Sequence, residues 1–207
     1  MAQSTTGIRR VLNNPHIYEL FGKIVGGKRV TRLFVDDYLR PREGMRVLDI
    51  GCGPGRLILE LPGVDYTGID LSPRYIEAAN KEFGHRGRYL VGRADEIPAE
   101  DLGTFDLVAA QGLLHHLDRH EIEGLLATAR KILRPGGRFV SVEPTLTDDM
   151  PRRNRWLVSR DRGQCVLPPE GYRELCAASF GSVRIDVFHD LLRIPYSHAC
   201  IECADPR

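Results

Sequence analysis

The stretch VLDIGCGPGR, from Val47 to Arg56, decides how the rest of this sequence is interpreted. It joins a short apolar run to three glycines at alternate positions, so the chain must turn tightly and let something approach its backbone closely. A carboxylate, Asp49, stands just before the first of these glycines, Gly51. The pattern predicts a ligand-binding turn between a first strand and a helix, of the kind that binds ligands through backbone N–H groups.

Length and composition predict one globular domain. The chain has 207 residues, of which 42% are hydrophobic and 28% are charged. Its formal net charge of +1 gives no global field that would attract nucleic acid or an anionic membrane. The start, MAQSTTGIRR, lacks the apolar segment of a signal peptide, and no run reaches the roughly 18 apolar residues of a membrane span. We expect a cytoplasmic protein with neither a membrane nor a nucleic-acid partner.

The five scattered cysteines suit reduced thiols better than a disulfide framework. Two of them form Cys200-x-x-Cys203, with His198 two residues upstream, which raises the question of a metal site. The surrounding residues favour a β-strand, in which Cys200 and Cys203 would point to opposite faces. We therefore expect no metal to be bound there.

Apolar runs alternate with helical patterns through the middle of the chain. Helices are predicted to begin at Ser72-Pro73 and at Asp118, and Pro135-Gly136-Gly137 is predicted to end the second. The predicted strands are 45–50, 65–69, 88–91, 105–110 and 138–142. Alternation at such short intervals predicts right-handed crossovers and a parallel sheet covered on both faces.

The two ends of the chain depart from this alternation. Before the first strand, a helix begins at Asn14-Pro15 and a second helix covers 29–39, so residues 1–40 are predicted to form a helical cap. After the fifth strand, Pro168-Pro169 begins a helix. The segments 183–187 and 194–201 then alternate like two strands, joined by a link short enough for an antiparallel hairpin. The chain is thus predicted to be one domain, with a cap (1–40), a binding core (45–145) and a segment ending in the hairpin (146–207).

The residues around the glycine turn discriminate between nucleotide ligands. No Gly-Lys-Ser or Gly-Lys-Thr follows it, so the lysine of a phosphate-binding P-loop is missing. The third glycine, Gly55, comes one residue too early for a dinucleotide fingerprint, and Asp49 would repel a pyrophosphate. A cationic ligand fits better.

Two further acids extend this interpretation. Asp70 follows Gly51 by 19 positions (70 minus 51), the spacing of an acid that binds ribose hydroxyls. Asp95 follows the third strand, where a side-chain oxygen could accept a hydrogen bond from the exocyclic amine of adenine. A ribose, an adenine and an ammonium in place of phosphates together describe S-adenosylmethionine.

Five segments carry a family resemblance: VLDIGCGPGR, YTGIDLSP, GRADEIP, FDLVAAQGLLHHL and LRPGGRFVSVEP. In order and spacing they resemble the motifs of class I S-adenosylmethionine-dependent methyltransferases, over roughly residues 40 to 145. The resemblance implies an α/β fold with a doubly wound, mostly parallel seven-stranded sheet and an antiparallel last strand, S-adenosylmethionine as cofactor and S-adenosylhomocysteine as product. The cofactor-binding residues that it implies are Asp49, Gly51, Cys52 and Gly53 near the methionine end, Asp70 and Leu71 at the ribose, Ala94 and Asp95 near adenine, and Gln111 and Gly112 at the transfer site.

Few residues are candidates for the chemistry itself, because a sulfonium methyl group is already activated and the protein must chiefly align the acceptor. His115 and His116 are placed to take a proton from an alcohol, phenol or amine, or else to order the loop after the fourth strand. Tyr18, on the first predicted helix, closes over the methyl donor or is an ordinary core residue. Glu143 faces the acceptor or caps a loop, and both interpretations stay open.

The segment after the fifth strand is a candidate for recognition of the acceptor. Its arginines and its tryptophan could hold a carboxylate or phosphate, or form a solvated loop with neighbouring aspartates. These residues are Arg152, Arg153, Arg155, Trp156, Arg160 and Arg162, with Asp148, Asp149 and Asp161. The small cap favours a compact acceptor group.

The sequence therefore predicts methyl transfer to an oxygen, nitrogen or sulfur atom of a small molecule. A nucleic-acid or protein methyltransferase is a second interpretation. Action on nucleic acid is disfavoured because AQGLLHHL stands where an Asn/Asp-Pro-Pro-Tyr/Phe motif would be. A module that binds S-adenosylmethionine without activity is a third interpretation, and a nicotinamide oxidoreductase is a more distant one.

Overall fold

The structure is a computed structural model that describes residues 27–159 and 165–207. It is built on seven strands arranged in the order β3-β2-β1-β4-β5-β7-β6. The strands are β1 (Arg46–Ile50), β2 (Asp65–Asp70), β3 (Gly87–Val91), β4 (Phe105–Gln111), β5 (Leu133–Pro144), β6 (Phe180–Phe188) and β7 (His198–Pro206). Neighbours among β1 to β5 are parallel, and β7 is antiparallel to β5 and β6. The predicted doubly wound, mostly parallel sheet with an antiparallel last strand is confirmed.

The chain order of the strands places a crevice at the carboxyl edge of the sheet. From β1 the chain moves outward to β3 and then returns to β4, on the other side of β1. The loops after β1 and β4 therefore leave in opposite directions, and ligands of open α/β sheets bind at such a switch point.

Helices cover both faces of the sheet. They are α1 (Gly27–Leu33), which continues as a π-helix (Phe34–Leu39), α2 (Pro73–Phe83), α3 (Ala99–Leu102), α4 (Arg119–Ile132), α5 (Arg152–Val158) and α6 (Pro169–Ala177), with 3-10 turns at Arg56–Glu60 and Leu114–His116. The predicted helix starts are confirmed: Ser72 caps α2, and Asp118 forms a capping box with Glu121 at the start of α4. Among the helices of 27–159 and 165–207, none is long and apolar enough to cross a membrane.

Two apolar clusters form the core, one on each face of the sheet. One contains residues of α4 and α6, and the other contains residues of α1, the π-helix and α2. The predicted helix at 29–39 is observed, but Phe34, Tyr38 and Leu39 are fully buried on the sheet. This described part of the predicted cap is therefore a layer of the core. The helix predicted to begin at Asn14 lies outside the described residues.

The connection between β6 and β7 differs from the prediction. The antiparallel pairing is confirmed, but β7 begins at His198 and not at Ile194, so residues 189–197 form a longer link. Pro195 lies in this link and has no N–H to donate to a strand ladder. The Asn154 side chain also holds the link, since it donates to the His189 carbonyl and to Ser197 Oγ.

Two further local predictions can be compared with the structure. Helix α4 ends at Ile132, and Leu133 already pairs with Phe105, so the Pro-Gly-Gly segment forms a bulge inside β5 and does not end the helix. Cys200 and Cys203 lie on β7 and belong to the two different core clusters. They point to opposite faces of the sheet, as predicted.

Candidate active site

The glycine turn leaves β1 at the switch point, and its conformation requires glycine. Gly51, Gly53 and Gly55 have φ values of 75°, 53° and 76°, which residues with a Cβ rarely adopt. A Cβ on Gly55 would lie 2.7 Å from the Tyr89 ring, whereas a Cβ on Gly53 would meet nothing within 4 Å. Gly53 is therefore the point of the turn that a ligand can approach closely.

The backbone N–H groups of the turn are used within the protein, in contrast to the expectation that they bind the ligand. The four bonds are Gly51 N to Ile69 O (2.8 Å), Cys52 N to Ile69 O (3.1 Å), Gly53 N to Asp70 Oδ2 (2.9 Å) and Gly55 N to Cys52 O (3.0 Å). Pro54 has no N–H. Residues 51–55 therefore offer no set of free donors to a diphosphate.

Asp70 ends β2 and holds the turn in place. Its Oδ2 accepts from Gly53 N–H, and its Oδ1 accepts from Ser72 N–H at 2.8 Å. Burial raises the pKa of Asp70, while the two backbone hydrogen bonds act in the opposite direction. Because a carboxylate has about four lone-pair sites, this residue can still accept from two hydroxyls. The next residue, Leu71, is 63% exposed and presents an apolar surface at the same edge.

Asp49 lies in β1, directly beneath the glycine turn, and is 2% exposed. Tyr66 is its one hydrogen-bond partner in the described part of the chain, donating its hydroxyl at 2.6 Å. Burial raises the pKa of Asp49 to about 7; the Tyr66 hydrogen bond lowers it, and the nearby charge of Asp70 raises it. A cation beside this carboxylate would favour its charged form.

Cys52 is buried beside the same carboxylate. A Cβ on Gly68 would lie 2.8 Å from the Cys52 sulfur, so the glycine at 68 makes room for this side chain. Burial raises the pKa of the thiol far above its usual range. Cys52 is therefore a protonated side chain that fills space, and its backbone is what belongs to the turn.

The loop after β3 contains Ala94, which is buried, and Asp95. Arg93 holds both oxygens of the Asp95 carboxylate, with Nε 3.1 Å from Oδ1 and Nη2 2.9 Å from Oδ2. Arg93 also donates to Glu121 on α4 at 2.7 Å. Arg93 thus forms a fork-like ion pair with Asp95 and connects this carboxylate to Glu121 on α4. The contact of Asp95 with adenine stays a prediction.

Gln111 and Gly112 end β4 on the other side of the crevice. Gly112 has a φ of 64° and donates its N–H to the Val142 carbonyl at 2.9 Å. The side chain of Leu113 lies 3.1 Å from where a Cβ on Gly51 would be. The end of β4 and the glycine turn are therefore in van der Waals range, and they form the two walls of one crevice.

A buried carboxylate, Glu143, organises the loop after β4 from the end of β5. Its side chain is 0% exposed and accepts five hydrogen bonds. The donors are the N–H groups of Leu113 (3.1 Å), Leu114 (3.0 Å) and His115 (3.2 Å), Ser141 Oγ (2.6 Å) and His115 Nδ1 (2.6 Å). Of the two interpretations left open by the sequence, the structure supports the loop cap.

The two candidate catalytic histidines lie side by side, with ring centroids 3.9 Å apart. His115 is buried, and its Nδ1 lies against Glu143. In the tautomer that carries its proton on Nδ1, the ring donates to Glu143 and Nε2 is its acceptor atom. A Cβ on Gly112 would lie 3.7 Å from His115 Cε1, so this ring borders the predicted transfer site.

Two site residues, Tyr66 and Arg93, received no role from the sequence, although both lie within the quoted motifs. Tyr66 acts on Asp49 and Arg93 acts on Glu121, and only the fold brings these partners near. The signal for Glu143 was a single charge within the apolar strand RFVSVEP, but its partners in the β4 loop lie 28 to 30 residues earlier. Tyr18, predicted to close over the methyl donor, lies outside the described residues.

The chain is similar to known methyltransferases in sequence and in fold. Residues 48–141 match the sequence model of a family described as "Methyltransferase domain". An uncharacterized methyltransferase of Synechocystis sp. is 28% identical over 149 residues, which make up 69% of this chain and 66% of that protein. A ubiquinone biosynthesis O-methyltransferase of Methylocella silvestris is 38% identical over 114 residues, which make up 53% of this chain and 44% of that protein. The chain spans about half the length of most curated relatives that it matches.

Solved structures show the same fold. Phosphoethanolamine N-methyltransferase 2 of Haemonchus contortus, in complex with phosphomonomethylethanolamine and S-adenosylhomocysteine, has a TM-score of 0.72 at 17% identity. The match covers 97% of this chain and 59% of that one. The fold is that of a Rossmann-like methyltransferase. The matched family model and these relatives support a class I S-adenosylmethionine-dependent methyltransferase.

Proposed function

We propose that this protein transfers the methyl group of S-adenosylmethionine to an oxygen, nitrogen or sulfur atom of a small molecule. The observation that carries the proposal is the construction of the glycine turn. Its N–H groups from Gly51 to Gly55 are used internally, and two acids, Asp49 and Asp70, adjoin it. Such a turn suits a ligand with an ammonium group and ribose hydroxyls, and it lacks the donors that a diphosphate needs.

The residues of the crevice fit this cofactor. S-adenosylmethionine supplies an activated methyl group, so the protein needs chiefly to bind and orient. Asp49 attracts the ammonium of the methionine tail, and Asp70 accepts from the ribose hydroxyls with the capacity left by its two backbone bonds. The exposed Leu71 offers an apolar face for adenine. Gln111 and Gly112, across the crevice, line the place where the acceptor meets the methyl group.

The His115 imidazole is the group that removes a proton from the acceptor. Glu143 holds its Nδ1–H, which orients the ring and directs Nε2 as the atom that accepts the proton. His115 is favoured over His116 because the Glu143 carboxylate orients the ring of His115. The ring of His116 packs against that of His115. Proton transfer to a positioned base typically contributes about 10²- to 10⁴-fold to the rate.

A small-molecule acceptor is supported by the relatives and by the net charge of the chain. Matched proteins are named as a ubiquinone biosynthesis O-methyltransferase and an O-methyltransferase of Penicillium expansum, and one solved neighbour holds phosphomonomethylethanolamine. The formal net charge of +1 provides no general attraction to nucleic acid.

A screen of acceptors tests the proposal. The purified protein is incubated with S-adenosylmethionine and a panel of phenols, alcohols, amines, thiols and carboxylic acids. The expected result is release of S-adenosylhomocysteine together with addition of one methyl group to at least one acceptor, detected by mass spectrometry. Cofactor binding without turnover on any small molecule, but with methylation of added RNA, DNA or protein, would contradict it.

Two substitutions separate a catalytic from a structural role of His115. In His115→Asn the amide nitrogen replaces Nδ1, so the bond to Glu143 is kept and Nε2 is lost. In His115→Gln the amide nitrogen replaces Nε2, so the bond to Glu143 is lost. We expect both variants to lose at least about 10²-fold in kcat with unchanged cofactor affinity, and the pH dependence of kcat to flatten. Full turnover in His115→Asn would remove His115 from the mechanism.

A further inference from the structure

A shallow apolar groove of about 510 Å³ lies outside the cofactor crevice, between α5 and the link that joins β6 to β7. Its volume is in the range of sites for small organic ligands. Its lining residues are Arg152, Arg153, Trp156 and Leu157 from α5, and Ile194 and Pro195 from the link. None of these residues takes part in the network around Glu143 or in the glycine turn.

The sheet topology places this groove at the same edge as the crevice. Helix α5 follows β5, so it lies beyond the carboxyl end of that strand. Strand β6 is antiparallel to β7, which is itself antiparallel to β5, so β6 runs in the direction of β5. The link 189–197 therefore also leaves the sheet at the carboxyl edge. Asn154 joins the two walls through its bonds to His189 and Ser197.

The distance from the groove to the crevice is within reach of a small molecule. Two strand spacings separate β5 from β1, because β4 lies between them. Adjacent strands are about 4.8 Å apart, so the end of β5, from which the chain leads to α5, is offset from β1 by roughly 10 Å, and the link between β6 and β7 lies farther along the edge. A single acceptor with a body of that length can occupy the groove and present its reacting atom at Gly112.

The chemistry of the groove is apolar with a cationic rim. Trp156 is 58% exposed, which is unusual for so large an apolar side chain. Arg152 and Arg153 are exposed, and no acidic residue of the described chain forms an ion pair with either. The nearby acids Asp148 and Asp149 lie instead beside Arg155 and His189. The arginines are therefore placed to bind an anion at the rim while an apolar body lies on the tryptophan.

We propose that this groove binds the methyl acceptor, and that the acceptor is an amphiphilic anion, with an apolar body against Trp156 and Leu157 and a carboxylate or phosphate on Arg152 and Arg153. This inference rests on the proposed methyltransferase function and adds the class of its substrate. It is distinct from the cofactor site because none of its lining residues belongs to the glycine turn.

Trp156 is the only tryptophan of the chain, so intrinsic tryptophan fluorescence reports directly on this groove. The full-length protein is titrated with decanoate, decanol and decylammonium below their micelle concentrations, at constant ionic strength. We expect decanoate to change the emission and to bind at least about tenfold more tightly than decanol, and decylammonium to bind most weakly. Equal responses to decanoate and decanol, or no response to either, would overturn the proposal.

Matched variants localise the anion. In Arg152→Gln and Arg153→Gln the preference for decanoate over decanol should fall to about twofold or less, because the charge is removed while most of the side chain remains. Arg88→Gln is the control, since Arg88 is exposed on β3 at the opposite edge of the sheet and its loss changes the net charge equally. An equal loss of preference in Arg88→Gln would show a general charge effect and overturn the assignment. If the Trp156 emission changes with phosphatidylglycerol vesicles but not with dissolved decanoate, the groove binds a membrane surface and the proposal of a small-molecule acceptor is overturned.

A turnover experiment separates failure of this inference from failure of the proposed function. Pairs of phenolic acceptors that differ only in a carboxylate are compared by kcat/KM. A preference for the anionic member that disappears in Arg152→Gln supports the groove as the acceptor site. Turnover without that preference would leave the methyltransferase function standing and reject the groove. Selective decanoate binding without turnover of any acceptor would reject the function and with it the role of the groove in acceptor binding.

Discussion

Two carboxylates are buried at the carboxyl edge of the sheet, and their surroundings differ. Glu143, at the end of β5, accepts five hydrogen bonds from the loop after β4, from Ser141 and from His115. Asp49, in β1, accepts one hydrogen bond from Tyr66, and its pKa is raised to about 7. The two side chains are 0% and 2% exposed, so burial alone does not account for the difference.

The difference assigns separate tasks to the two regions. A buried carboxylate with many donors fixes the backbone that donates to it, so the β4–β5 side of the crevice is a rigid wall. A buried carboxylate with one donor is costly in its charged form and gains strongly from a cation. We therefore expect the β1 side of the crevice to respond to the charge of its ligand.

The largest expected effect is on the rigid wall. Glu143→Ala removes the acceptor from three backbone N–H groups, a hydroxyl and an imidazole, and it should lower the free energy of unfolding by about 3–5 kcal/mol. Urea denaturation measures this change. Glu77→Ala, at an exposed position on α2, is the control and should change stability by less than about 0.5 kcal/mol. Similar effects of the two substitutions would contradict the role given to Glu143.

The next effect is a pH dependence of stability that originates at Asp49. Because its pKa in the folded protein is about 7 and the ordinary value is lower, the folded state binds the proton more tightly than the unfolded state. Between about pH 4 and pH 7 the free energy of unfolding should therefore fall as the pH rises, by on the order of 3 kcal/mol from this residue. Urea denaturation across this range, in wild type and in Asp49→Asn, isolates the contribution. A difference between the two proteins that does not change with pH would contradict it.

The smallest effect concerns the single donor to Asp49. Tyr66→Phe should lower the free energy of unfolding by about 1–2 kcal/mol at pH 8, where Asp49 is charged. The decrease should be smaller at pH 5, where Asp49 is protonated. Tyr89→Phe is a matched control, because Tyr89 OH is buried and has no hydrogen-bond partner among the described residues. Its loss should change stability little at either pH. Equal costs for the two tyrosines, measured by urea denaturation at both pH values, would refute the importance of the Tyr66–Asp49 bond.

The contrast between the two regions also shows what the sequence could predict. The parallel sheet was predictable because its strands are short apolar runs separated by helix caps, and such signals are local. The glycine turn and Asp70 were predictable because their spacing is fixed by the strand–turn–helix unit. Cys200 and Cys203 were placed on opposite faces because a strand has a period of two residues.

Contacts between distant segments were not predictable in this way. Tyr66 reaches Asp49 only because β1 and β2 pair in the observed register, in which Val47 is opposite Tyr66. Arg93 engages both Asp95 and Glu121, which lie on different elements. The start of β7 was misplaced because the alternating pattern from Ile194 outweighed Pro195, whose missing N–H was the better signal.

The central claim is that Asp49 is matched to the ammonium group of S-adenosylmethionine. Isothermal titration calorimetry at pH 7, in buffers with different ionisation enthalpies, measures affinity and proton exchange together. If the claim holds, S-adenosylmethionine binds with release of about half a proton, because binding lowers a pKa that lies near the pH, and Asp49→Asn loses both this release and at least about tenfold in affinity. Binding without proton release and with equal affinity in Asp49→Asn, or binding of NADH in place of S-adenosylmethionine, would contradict it.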